Sequence, residues 1–80
     1  MTIDQVRQMH RAQPFVPFDV HLADGRAIAV EHPENLAFAG AGRCIGIARA
    51  DGVIETVDLL LVTSLEPHAN GSARRRRTRP

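Results

Sequence analysis

Phe18-Asp19-Val20-His21-Leu22-Ala23-Asp24-Gly25-Arg26-Ala27-Ile28-Ala29-Val30 alternates large apolar residues with polar or small ones on both sides of an Asp-Gly step. A period of two is that of a half-buried strand, so the stretch reads as a β-hairpin. Parity then selects the turn. A two-residue Asp24-Gly25 turn sets Val20 opposite Ala29 and Leu22 opposite Ala27, and sends Ile28 and Val30 to the other face. A three-residue loop, Ala23-Asp24-Gly25, sets Val20 opposite Ile28 and Phe18 opposite Val30, which gathers the large apolar groups on one face. The second register is expected, with Gly25 in the left-handed conformation that only glycine adopts cheaply.

Upstream, Thr2 and Gln5 match a capping box, in which the hydroxyl accepts from a first-turn amide and the Gln side chain reaches back. Ile3, Val6, Met9 and His10 follow at helical spacing and Pro14 stops the run, which predicts one amphipathic helix within residues 2–12. Pro14-Phe15-Val16-Pro17 spells PxxP, but it leads straight into a strand and reads as a stiff approach segment.

Downstream, His32-Pro33-Glu34-Asn35 is a corner, and Leu36 and Phe38 alternate with Ala37 and Ala39 as a short strand. Gly40-Ala41-Gly42 turns the chain, after which Ile45 and Ile47 point inward and Gly46 is expected to weaken or bend their strand. Asp51-Gly52 starts a second hairpin, for which a two-residue turn pairing Ile47 with Ile54 is the better apolar match. Asp58 caps a brief helical turn through Leu59-Leu60, and Leu61 to Leu65 form the closing strand. The two Ala-Asp-Gly turns echo each other, and no longer repeat emerges.

Eighty residues with 44% hydrophobic content allow one core, and the absence of Trp and Tyr beside only three Phe makes that core aliphatic. The expected fold is mainly β with one N-terminal α-helix: a small five-stranded, partly open β-barrel. It is assigned to residues 1–67, and 68–80 form a disordered basic tail. Five of the ten basic residues, Arg74, Arg75, Arg76, Arg77 and Arg79, lie in that tail, which leaves five arginines against nine acids and a body of −4. No apolar run approaches the ~20 residues of a membrane span, and Met1-Thr2-Ile3-Asp4-Gln5 lack a basic region followed by an apolar one. A lone Cys44 excludes an internal disulfide. The expectation is a cytoplasmic protein without a membrane partner.

The segments Pro14 to Arg26 (PFVPFDVHLADGR), His32-Pro33-Glu34 and Val57 to Glu66 (VDLLLVTSLE) resemble a family of short uncharacterised bacterial proteins. The resemblance covers residues 2–66 and implies a shared fold without an activity. A helix, short strands and a one-turn helix before the last strand also resemble the Sm-like barrel in topology, which assigns no function.

His10, His21, His32 and His68 fall on a helix face, strand positions and the tail without the spacing of converging ligands, so no metal or other cofactor is expected. Asp24 and Asp51 sit in Asp-Gly turns and Asp58 at a cap, and with Asp19 they are explained by local structure rather than acid–base chemistry. Ser64 and Ser72 lack a nucleophile elbow and Cys44 an activating base. An enzyme is not expected. The leading functional expectation is a non-catalytic module that interacts with a protein partner or forms a homo-oligomer through its sheet edge, with Leu59 to Val62 and Leu65 as the apolar surface. The alternative is a nucleic-acid-binding accessory protein whose Arg74, Arg75, Arg76, Arg77 and Arg79 neutralise phosphates.

Overall fold

The computed structural model describes residues 1–68. Helix α1 (Ile3–His10) starts as expected: Thr2 Oγ1 accepts from the Gln5 amide at 3.3 Å, and Gln5 Oε1 accepts from the Thr2 amide at 2.9 Å. Six strands follow: β1 (Phe18–Leu22), β2 (Ala27–Val30), β3 (Leu36–Ala39), β4 (Cys44–Ala48), β5 (Ile54–Asp58) and β6 (Val62–Pro67). They form two antiparallel three-stranded sheets, ordered β2-β1-β6 and β3-β4-β5. This corrects the expectation of a five-stranded barrel. Short 3₁₀ turns at Pro33–Asn35 and Leu59–Leu61 carry the chain from one sheet to the other, so no ladder runs on from β2 to β3 or from β5 to β6.

The order of elements repeats. Hairpin, 3₁₀ turn and third strand occur first as β1-β2 and β3, then as β4-β5 and β6, and each hairpin takes the other half's third strand as its neighbour. The two hairpin loops also share their hydrogen bonds. In the first, the Gly25 amide donates to Leu22 O and the Arg26 amide to Asp24 Oδ1; in the second, the Gly52 amide donates to Arg49 O and the Val53 amide to Asp51 Oδ1. Gly25 and Gly52 have φ of 93° and 88°.

The first hairpin has the expected register, Phe18 with Val30 and Val20 with Ile28. The second does not: Ile47 faces Glu55, while Ile54 pairs with Ala48. The cause is that Ala50-Asp51-Gly52 builds the same three-residue loop as Ala23-Asp24-Gly25. Turn chemistry sets register within a few residues, and here it overrides the apolar match. Gly46 keeps register with Ala37 on one side and Thr56 on the other, so both ladders run through it. The irregularity lies between β1 and β6, where His21 pairs with Ser64 but Leu22 with Val62, leaving Thr63 as a bulge. Unbroken alternation from Leu65 would turn Thr63 inward; the extra residue lets Val62 face the core instead.

Phe18, Val20 and Val30 from one sheet and Ile45 and Ile47 from the other are fully buried, and α1 closes the core with Val6. His10 Nε2–H donates to Pro33 O at 2.7 Å, and the His10 and Phe38 rings stand T-shaped with centroids 5.4 Å apart. The helix is thus held by Val6, with Ile3 and Met9 packed beside it against the core, and by His10 and Arg7 at the Phe38 ring. His68, assigned to the tail by composition, belongs to the fold: its amide donates to Pro17 O at 2.7 Å, extending the β1–β6 ladder by one bond.

Candidate functional site

Three surface features have chemical content. The first is the outward face of sheet β2-β1-β6, set by alternation: with Phe18, Val20 and Leu22 buried, Asp19 and His21 point the other way. Across the ladder Asp19 pairs with Glu66 and His21 with Ser64. His21 Nε2–H donates to Glu66 Oε1 at 3.1 Å, and His68 Nε2–H donates to Asp19 Oδ1 at 2.8 Å. The donor atoms of Asp19, His21 and Glu66 all lie within 4.8 Å of one another.

Exposure across this group is graded. Asp19 is the buried charged residue of the described chain, only 5% exposed, and the His68 side chain is nearly as covered, whereas those of His21 and Glu66 are about one-third open. Sequence reading treated the histidines singly and set this grouping aside. The available signal was Asp19-Val20-His21 and Glu66-Pro67-His68, two carboxylate-x-His pairs, each with both side chains on one face if the segment is a strand.

The second feature is a cleft of about 700 Å³ between the sheets, lined by Arg26, Ile28, His32, Asn35, Arg49 and Glu55. Glu55 occupies in the second hairpin the inward place that Ile28 takes in the first, and it is met there by both Arg26 and Arg49. Asp24 and Asp51 bind the same two guanidiniums from the hairpin loops. Hydrogen bonds from Arg26, then from Arg49, hold the Glu55 carboxyl below its ordinary value of 4.5, and Arg49 is held above the ordinary arginine range by Asp51 and Glu55. Three carboxylates around two guanidiniums leave no positive excess for an anionic ligand, so this network is a clasp between the hairpins.

The third feature is the outward face of sheet β3-β4-β5, formed by Ala37, Ala39, Cys44, Gly46, Ala48, Ile54 and Thr56. Its one charged residue, Asp58, lies at the end of β5, where it accepts from the Leu60 amide at 2.8 Å. Ile54 is 72% exposed on this face. Of the apolar residues expected to form an association surface, Leu59 and Val62 are buried in the core and Leu65 is partly covered, while Leu60 and Leu61 are exposed.

Arg74, Arg75, Arg76, Arg77 and Arg79, the candidate phosphate contacts, lie outside the described residues. Cys44 is a half-buried free thiol at the start of β4. Among the described residues no helix is long and apolar enough to cross a membrane. Comparison of the chain with protein-family models, with curated proteins and with solved structures gives no match, so its functional reading rests on the geometry of these faces.

Proposed function

We propose that the chain is a non-catalytic assembly module whose sheet face β3-β4-β5, uncharged except for Asp58 at its end, packs against the same face of a second copy. The observation that carries this reading is Ile54, a large aliphatic side chain standing 72% exposed among alanines, a glycine and a threonine. Small flat-lying neighbours allow two sheets to approach to the ~10 Å of face-to-face packing. Charge favours the same place, because a body with nine carboxylates and five arginines repels its own copies wherever charged faces meet. A two-fold contact between identical flat faces needs no further complementarity.

Size sets the strength. Three strands ~4.8 Å apart and about five residues long at ~3.3 Å each make a patch of roughly 14 by 17 Å. That is well short of the ~800 Å² per partner of a standard stable interface. Exposed Leu61, which shares a cavity with Thr56, widens the apolar area there. A weak, concentration-dependent dimer follows.

Sedimentation equilibrium from micromolar to millimolar chain tests this. The wild-type chain is expected to shift toward dimer at the upper end, and Ile54→Lys to remain monomeric with an unchanged circular dichroism spectrum. A wild-type chain monomeric throughout, or an Ile54→Lys chain that assembles equally well, overturns the proposal.

A further inference from the structure

We propose that Asp19, His21 and Glu66 form a binding site for one divalent transition-metal ion of the Zn²⁺ class, with His68 orienting Asp19, on the face opposite the assembly surface and independent of it. Two carboxylates and one imidazole converge from adjacent antiparallel strands, with Asp19 facing Glu66, His21 placed diagonally against Glu66, and His68 placed diagonally behind Asp19. Zinc binds nitrogen and carboxylate oxygen at ~2.0–2.2 Å in tetrahedral geometry, which places neighbouring donor atoms about 3.4 Å apart. The observed separations in the Asp19, His21 and Glu66 set, from 3.1 Å between His21 and Glu66 up to 4.8 Å, bracket that value. Side-chain rotation closes the set to coordination distance.

The donor types select the metal. Imidazole nitrogen suits Zn²⁺ and its first-row neighbours, while Ca²⁺ and Mg²⁺ take oxygen ligands almost alone. Two carboxylates balance the charge of a divalent ion. The burial gradient gives such a site a closed floor at Asp19 and His68 and an open approach at His21 and Glu66. Binding exchanges the His21–Glu66 hydrogen bond for two bonds to one ion, and the His21 proton moves from Nε2 to Nδ1 to free the coordinating lone pair. His68, whose Nε2–H donates to Asp19 Oδ1, orients the Asp19 carboxylate, a role whose loss lowers metal affinity about 10–100-fold.

Metal-free full-length chain titrated with Zn²⁺ by calorimetry, and with Co²⁺ by visible absorption, tests the site. The expected result is one equivalent bound, intense tetrahedral Co²⁺ bands, and a rise in melting temperature with Zn²⁺. His21→Gln and Glu66→Gln, both at half-exposed positions, are expected to weaken binding at least tenfold while retaining the circular dichroism spectrum. His10→Gln and His32→Gln are expected to bind as the wild type does. No uptake at one equivalent, or uptake unchanged in both His21→Gln and Glu66→Gln, overturns the proposal.

Discussion

His68 Nε2 lies 2.8 Å from Asp19 Oδ1, so the residue just beyond the last strand covers a carboxylate in the middle of the first sheet. A hydrogen bond to a charged group contributes about 1.5–3 kcal/mol, and partial compensation by neighbouring groups lowers what a single truncation costs. His68→Ala is therefore expected to destabilise the fold by about 1–2 kcal/mol in urea unfolding followed by far-ultraviolet circular dichroism. An unchanged midpoint would show that His68 merely rests against the sheet.

The clasp at Glu55 predicts a particular pH dependence. Arg26 and Arg49 lower the folded-state affinity of Glu55 for its proton, so its charged form stabilises the fold above the unfolded carboxyl value of 4.5, and that contribution is lost as pH falls through and below it. Asp24 and Asp51 act in the same direction from an ordinary value of 3.8, through hydrogen bonds from Arg26 and Arg49. Glu55→Gln should lower the melting temperature at neutral pH and flatten its decline between pH 6 and pH 3. A parallel decline in both proteins would remove Glu55 from the linkage.

Gly25 and Gly52 hold positive φ with nothing within 4 Å of where a Cβ would stand, so backbone strain alone opposes a side chain there. Left-handed backbone costs an alanine roughly 1–2 kcal/mol, and Gly25→Ala and Gly52→Ala should each lose about that much. Ala41, at φ 55° between Gly40 and Gly42, already carries such strain. Ala41→Gly removes it against an unfolded-state entropy penalty of about 0.4–1 kcal/mol, for an expected net gain of roughly 0–1 kcal/mol. Chemical unfolding of the three variants side by side checks the opposite signs.

Docking of α1 depends on Val6, the fully buried residue of that helix. Val6→Ala removes about two methylene equivalents at ~0.8 kcal/mol each and adds a cavity term, for an expected loss of about 2 kcal/mol. Amide exchange in residues 3–10 should accelerate more than in β1 or β4. Equal acceleration everywhere would mean that the helix and sheets unfold as one unit.

Features set by a few neighbouring residues were legible in the sequence: the Thr2–Gln5 cap, the Gly25 loop and its register, the Asp58 cap and the inward set of Phe18, Val20, Ile45 and Ile47. Each follows from side-chain period or from hydrogen bonds that close within a turn. The second hairpin shows where such reading fails, because the apolar match of Ile47 with Ile54 and the loop chemistry of Asp51-Gly52 pointed to different registers, and the loop prevailed. Glu55 thereby turned inward, a position stabilised only by two arginines that the tertiary fold supplies. Sheet partnership was likewise undetermined by local pattern. That β6 returns to β1, with a bulge at Thr63, depends on packing between segments more than forty residues apart, and it alone brings His68 to Asp19 across 49 positions of chain. Period and turn chemistry act over single strands and loops, whereas the choice of strand neighbours, and every site that spans two strands, is decided by how the whole aliphatic core closes.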